Sequence, residues 1–345
     1  MTARSTVLPR VLILYTGGTF GMEPRLSLPE LSVESLRGRL QARVPELAQL
    51  ASCDIEIVLN RDSAHVGPDE WLLLARRVRE NWKRYDGVVI LHGTDTLAYS
   101  ASALSFLLRP SLRPVVMTGA QRPLSALRTD ARRNLISAVD IAAHGPREVV
   151  GQVSIFFDDV LLQGNRARKR SASEFAAFES PQAPPLAVVG TSIRYAQRPP
   201  ASRRGPLLKP VFNRHVGMLQ VTPGFPAQAI TKGLLPGLDG LVLIVFPSVT
   251  APTHDEHFLG LLRAARRSDI PVVIATESAT HAATTDRDTG PGSYPAGRQL
   301  VLEGCLWAGP MTKECAYVKT QLLLGQGGGA GAFARRWKHD YAGEG

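Results

Sequence analysis

The chain has 345 residues, 44% hydrophobic and 20% charged, a globular composition long enough for two domains and a large core. No stretch approaches transmembrane length, and the early apolar run Val11 to Tyr15 meets Gly17-Gly18 too soon to be a secretory segment. The net charge of +10 comes mostly from arginines scattered along the chain, without aromatic stacking platforms beside them, so it argues for a solvated basic surface and against nucleic acid as a partner.

Val11 to Tyr15 reads as the first strand, closed by Thr16-Gly17-Gly18-Thr19-Phe20-Gly21. Paired glycines let this turn approach a ligand closely, but the spacing is neither GxGxxG nor GxxxxGK[ST], so neither a dinucleotide nor a P-loop is indicated. Val33 to Leu50 is expected to be helical with a break at Pro45, and Ile55 to Leu59 to be a strand ending in Asn60-Arg61-Asp62-Ser63. Pro68 opens an amphipathic helix expected to reach Tyr85, with Trp71, Leu74, Val78 and Trp82 on one face.

The next stretch, Val88 to Leu91, has the continuous apolar character of a buried parallel strand. It turns at His92-Gly93 into Thr94-Asp95-Thr96, and a largely apolar helix follows through Leu108. A strand's carboxyl end meeting a helix's amino end is where open α/β sheets hold ligands, with free N–H groups for an anion. Taken alone, Thr94, Asp95 and Thr96 read first as an ordinary cap.

Pro114 to Met117 is a fourth strand, ending in Thr118-Gly119-Ala120-Gln121. Thr129-Asp130 is expected to cap a helix to Ala143, Val149 to Phe157 to be one strand, and Gly164 to Arg170 to be a basic loop. Alternating strands and helices specify an α/β fold, a mostly parallel sheet with helices on both faces. Thr16, Thr19, Ser63, Thr94 and Thr118 each follow one of the first four strands closely, so in such a sheet they share one edge. Each is an ordinary turn or cap residue; their coincidence is the stronger signal.

Pro199 to Pro210 is rich in Pro, Arg and Ser and reads as a linker. Beyond it come a strand at Gly240 to Phe246, a helix at Asp255 to Arg267, a strand at Pro271 to Ala275 and helices at Thr312 to Leu324 and Ala332 to Tyr341. The expected layout is a larger domain over 1–195, a linker over 196–214 and a smaller α/β domain over 215–345. Cys53, Cys305 and Cys315 are odd in number and lack CxxC spacing, which fits free thiols in a reducing cytoplasm. His254-Asp255-Glu256-His257 lacks HExxH spacing and reads as a helix start, so no metal site is expected, and His92 reads as a packed strand-end histidine.

Several of these motifs together resemble the bacterial type I, cytoplasmic L-asparaginases. The matching residues are Tyr15-Thr16-Gly17-Gly18-Thr19-Phe20-Gly21-Met22, His92-Gly93-Thr94-Asp95-Thr96, Thr118-Gly119-Ala120-Gln121-Arg122-Pro123-Leu124, Thr129-Asp130 with Asn134-Leu135, Gly164-Asn165-Arg166, Lys169 and Met311-Thr312-Lys313-Glu314. The resemblance covers most of the chain. It implies hydrolysis of L-asparagine to L-aspartate and ammonia without metal or organic cofactor, by a cytoplasmic homodimer or homotetramer acting on a small-molecule amide. It places the nucleophile at Thr19 and a second triad at Thr94, Asp95 and Lys169. By the same resemblance, Ser63 meets the substrate carboxylate, Asp95 the amino group, and the Ala120 backbone the side-chain amide.

The chemistry is coherent. A threonine hydroxyl is a poor nucleophile until a neighbour removes its proton. Lysine can do this where burial and nearby positive charge loosen its own proton, whereas arginine cannot. Lys169 is the only lysine between Lys83 and Lys209 and stands among Arg166, Arg168 and Arg170. Read without the resemblance, that stretch is a solvated basic loop.

Three departures from the family pattern concern substrate orientation and water exclusion. The segment Glu23-Pro24-Arg25-Leu26 runs almost directly into Leu31-Ser32-Val33, a shortened lid with no tyrosine between Tyr15 and Tyr85. Pro247-Ser248-Val249-Thr250-Ala251-Pro252 replaces an asparagine-bearing turn, and Ala64 follows Ser63 where a polar residue is usual. The alternatives are an amino-acid-binding or regulatory paralogue with little or no turnover, an amidase for another ω-amide, and an ammonia-supplying subunit like the related transfer-RNA-dependent amidotransferase. The last is disfavoured because such subunits usually carry an extra domain before the first motif, which here begins near Val11.

Overall fold

The computed structural model describes residues 7–22, 32–109, 113–197, 207–277 and 290–344. The chain divides into two compact units, Met1–Ser202 and Arg203–Gly345. The shortened lid over Glu23 to Leu31 and the central part of the expected linker, 198–206, lie outside the described residues.

In the first unit, β1 (Arg10–Gly17) leads through α1 (Val33–Arg43) and α2 (Leu47–Leu50) to β2 (Ser52–Arg61), the two helices parting at Pro45. Then come α3 (Pro68–Asn81), β3 (Gly87–Leu91), α4 (Leu97–Leu107), β4 (Val115–Thr118), α5 (Ala131–His144), α6 (Arg147–Val150) and β5 (Val153–Phe157). The unit is completed by β6 (Val160–Gln163), β7 (Arg168–Lys169), β8 (Phe178–Glu179), β9 (Ala187–Val189) and β10 (Ile193–Tyr195). The main sheet has the order β10-β9-β6-β5-β4-β3-β1-β2. The members β2, β1, β3, β4 and β5 are parallel, while β6, β9 and β10 extend the sheet antiparallel.

Both faces of β1 are buried, Val11, Ile13 and Tyr15 on one side and Leu12 and Leu14 on the other, as a parallel sheet with helices on each face requires. The first set joins a core with Leu36 and Leu40 of α1 and Leu135, Ala138 and Ile141 of α5. Helix α3 buries Trp71, Leu74 and Val78 but stops at Asn81, leaving Trp82 half-exposed instead of on the packed face.

The expected strand over Val149 to Phe157 is two elements, because the chain first makes the helical turn α6. The antiparallel hairpin β5–β6 follows, turning on Asp158 and Asp159 at φ 43° and 66°. Two successive positive φ values identify a type I′ turn, whose twist matches that of the strands it joins.

The second unit has its own parallel sheet, β11 (Val216–Gln220), β12 (Gly240–Val245), β13 (Val272–Thr276) and β14 (Leu306–Trp307). Its helices are the short α7 (Ala227–Ala229), α8 (Glu256–Arg267), α9 (Pro295–Leu302), α10 (Lys313–Leu324) and α11 (Gly329–Trp337). Asp255 and Thr312 cap α8 and α10 by accepting from His257 N and Cys315 N. The proline-bearing turn after β12 holds Val249 at φ 56° with its side chain in the core. A β-branched residue there stores roughly 1–3 kcal/mol of strain.

Candidate active site

Strands β1 and β3 lie side by side, yet the chain leaves β1 for β2 on the other flank. This is the switch point of an open α/β sheet, where a crevice opens beyond the strand ends. The loops there touch backbone to backbone. Gly18 sits at φ 79°, and a Cβ on it would fall 2.4 Å from Gly93 Cα. A Cβ on Gly93 would fall 2.7 Å from Ser63 Cβ. Only glycine permits these approaches, and they draw the loops carrying Thr19, Ser63 and Thr94 onto one rim.

The hydroxyls singled out from sequence divide into two groups. Thr16 Oγ1 donates to Leu91 O (2.9 Å) and Thr118 Oγ1 to Phe156 O (2.8 Å), both buried, so these two stitch neighbouring strands together. Thr96 Oγ1 donates to Ser63 O (2.6 Å) and fastens the β3 loop to the β2 loop. Thr19, in a 3-10 turn over Thr19–Gly21, is half-buried, and its hydroxyl has no hydrogen-bond partner among the described residues. Ser63 is buried in a similar turn, which is closed by Asp62 accepting from Ala64 N (2.8 Å).

Lys169 is on the short ribbon β7–β8, opposite Phe178, with Arg168 opposite Glu179. Asn165 and Ala167 just before it are buried, so the segment is no solvated loop. The Lys169 side chain is only 17% exposed, and its Nζ donates to Thr94 Oγ1 (2.8 Å) and to Asp95 Oδ1 (2.6 Å). The flanking cations are not bare either: Arg168 pairs with Glu179 and Arg170 with Glu174, each at 2.7 Å. The setting of Lys169 among Arg166, Arg168 and Arg170 is therefore less cationic than the sequence run alone suggests. Acid partners from residue 95 and from the ribbon itself neutralise the run.

Ala120 is buried at the start of a turn that Asp130 organises. Of the expected capping pair, Thr129 Oγ1 accepts from Ala131 N at the start of α5 (3.0 Å), whereas the Asp130 carboxylate accepts from Gln121 N (2.9 Å) and Arg122 N (3.0 Å). Asn134 Nδ2 donates to Gly119 O (3.1 Å) and completes the support. Gln121, Asp130 and Asn134 belong to the motifs that carry the family resemblance, yet sequence reading gave Gln121 and Asn134 no role and Asp130 only that of a helix cap. A carboxylate ten residues after a Gly-Ala turn was the available clue.

The fully enclosed His92 is pushed down to about 4 by burial, against a smaller opposing pull from Gly93 O. Its Nδ1 lies 2.7 Å from Gly93 O, which can only accept, so the proton sits on Nδ1. Nε2 then accepts from Ser100 Oγ (3.0 Å), which in turn accepts from Trp71 Nε1 (2.9 Å). The ring is a structural tie between β3, α4 and α3. Among the described residues, no cluster of His, Cys, Asp and Glu is arranged to hold a metal ion, and no helix is long and apolar enough to cross a membrane.

A family model described as Asparaginase, N-terminal matches residues 10–201, and one described as Glutaminase/Asparaginase C-terminal domain matches residues 215–335. The chain belongs to the asparaginase family. Within it, the chain is 35% identical over 321 residues to L-asparaginase 1 of Escherichia coli (strain K12), covering 92% of each chain. It is 31% identical over 322 residues to L-asparaginase of Thermococcus kodakarensis, covering 92% of this chain and 93% of that one. The crystal structure of L-asparaginase I from Vibrio cholerae superposes with a TM-score of 0.84 at 32% identity, covering 98% of this chain and 99% of the other. The family's two-domain α/β fold is the fold of this chain.

Proposed function

We propose that the chain hydrolyses L-asparagine to L-aspartate and ammonia through a threonine nucleophile and an acyl-enzyme intermediate. The observation that carries the reading is the Lys169 Nζ contact with both Thr94 Oγ1 (2.8 Å) and Asp95 Oδ1 (2.6 Å), on a rim that also bears Thr19. In this reading Thr19 Oγ1 attacks the side-chain amide carbon. Backbone N–H groups of the glycine turn or of the Thr94 loop steady the oxyanion. Collapse breaks the C–N bond, the departing nitrogen takes the proton given up by the Thr19 hydroxyl and leaves as ammonia, and an ester to Thr19 remains. Water then adds to the ester, passing a proton through Thr94 to the Lys169 amine, and that proton returns to Thr19 Oγ1 as the C–O bond breaks, which releases aspartate and restores the hydroxyl.

Ser63 binds the substrate carboxylate, Asp95 its amino group, and the backbone at Ala120 its amide. The reading assigns the chemistry to residues 1–195, with 196–214 a linker and 215–345 a second domain. It carries a cytoplasmic homodimer or homotetramer, which sedimentation of the purified chain checks.

Ammonia release from L-asparagine is the direct test. Thr19→Ala and Thr94→Ala are each expected to lower kcat by on the order of a thousandfold or more. Lys169→Arg keeps the charge but cannot accept the proton, and is expected to fall as far. No ammonia from asparagine, glutamine or a panel of small amides would sink the proposal. The Thr19 hydroxyl, without a hydrogen-bond partner among the described residues, and Ala64 beside Ser63 favour a second reading, a binding or regulatory paralogue with little turnover. Calorimetric binding of asparagine or aspartate without hydrolysis selects it. Release from glutamine in preference to asparagine selects another ω-amide instead.

A further inference from the structure

The side chain of Gln121 is tied at both ends. Its Nε2 donates to Glu174 O (3.0 Å) and Ser171 O (3.4 Å), and its Oε1 accepts from the Thr94 hydroxyl at 3.4 Å. This arrangement settles which way the amide faces, because turned over its oxygen would confront two carbonyls that can only accept. The backbone beneath is held by the Asp130 carboxylate, itself bonded to Asn134 Nδ2 (3.2 Å). On the far side, Ser171 Oγ accepts from Ser173 N (3.2 Å) and Glu174 N (3.0 Å), while Arg170 N donates to Ala177 O (2.8 Å). That closed loop is the tip of the ribbon carrying Lys169. Gln121 thus joins the end of β4 to the Lys169 ribbon, with Thr94 between them.

Thr94 has one hydroxyl proton. While the Lys169 ammonium donates to Oγ1, that proton points to Gln121 Oε1. For Lys169 to receive it, the hydroxyl turns about its C–O bond from Oε1 to Nζ, and a 3.4 Å bond is surrendered readily. We infer that Gln121 is a positioning residue for the Thr94–Lys169 pair, holding the Thr94 proton in its resting direction and pinning the lysine's ribbon to the rim. This role rests on the amidohydrolase reading of the same site.

Two variants separate the halves of the role. Gln121→Met keeps the length and removes every polar contact, whereas Gln121→Glu keeps an acceptor oxygen and removes both N–H donors. In Gln121→Met, kcat for L-asparagine is expected to fall by about tenfold to a hundredfold while KM stays within about threefold. Amide hydrogen exchange over 170–177 is expected to quicken in both variants, and Gln121→Glu to keep more of kcat than Gln121→Met. An unchanged kcat in Gln121→Met, or unchanged exchange over 170–177, overturns the inference. Equal losses in the two variants overturn the proton-holding half. A wild-type chain that releases no ammonia brings down the amidohydrolase reading and the catalytic side of this role together, while exchange still reports on the tie itself.

Discussion

At His92, a buried ring exerts its effect through a proton it refuses. Burial pushes the folded ring down to about 4 from the ordinary 6.5, so between those values the unfolded chain binds a proton that the native chain does not. Stability therefore falls as pH drops from 6.5 toward 4, and the loss reaches about 3 kcal/mol once both forms are protonated. Urea unfolding at pH 7 and at pH 4.5 measures it, and His92→Gln should flatten the difference. The sequence exposed His92 as a strand-end residue because its neighbours are a buried strand and a glycine turn. It located Lys169 as well, and the family resemblance grouped it with Asp95 across 74 positions; what was not legible is that Glu179 meets Arg168, since that waits on the pairing of the ribbon. The same limit applies to Thr16 and Thr118, which carry the same hydroxyl as Thr19 and differ only in what the neighbouring strand offers it.

Local patterning gave the parallel strands and their helices, since continuous apolar runs and helix caps are short-range signals. It missed the β5–β6 hairpin, because Asp-Asp is a weaker turn signal than Asn-Gly and the apolar run before it looked unbroken through Gly151. That imperfect turn chemistry is measurable. Asp159 sits at φ 66° with Oδ1 buried and unpartnered, although its other oxygen pairs with the exposed Arg133. Asp159→Gly should stabilise the chain by about 1 kcal/mol net, because backbone relief outweighs an exposed ion pair worth less than that, and chemical denaturation reads it. The opposite sign is expected at Gly18. Its Cβ would meet Gly93 Cα at 2.4 Å with φ at 79°, so Gly18→Ala should cost about 2 kcal/mol or more, or displace the Thr19 turn. Strands β11 and β14 escaped notice because the first is half-exposed and the second only two residues long.

Across the whole molecule, the charge of +10 would suggest a polyanion partner if the cations were free. Many are answered locally, as Arg263 is by Glu303 (3.0 Å) and Arg77 by Glu56 (3.1 Å). No retention of RNA is expected at physiological salt in an electrophoretic shift, since scattered pairs release few counterions. The most deeply buried of these pairs, Lys319 with Glu344 at 2.8 Å, is 3% and 0% exposed. The ammonium also donates to His339 O (2.9 Å) and lies over the rings of Trp337 and Tyr341. Burial alone would push the Glu344 carboxyl up, but the Lys319 charge and its hydrogen bonds hold it below the usual range. Stability from this pair is thus present at neutral pH and lost as pH falls through the folded value, adding to the His92 effect. Glu344→Gln removes the ammonium's buried counter-charge, leaving only Asp340 nearby, and should cost about 3 kcal/mol by urea titration. Nothing in the local sequence announced the pair, because its partners are brought together only when the chain returns over α10 after α11.

The glycine contacts at the rim also limit how this protein can be re-engineered. Random mutagenesis aimed at a different amide would waste most of its library at positions 18 and 93, where any added carbon collides with main chain or with Ser63. Ala64 is exposed and directly follows Ser63, so its methyl can be enlarged without such a collision. A saturation library should begin at that codon.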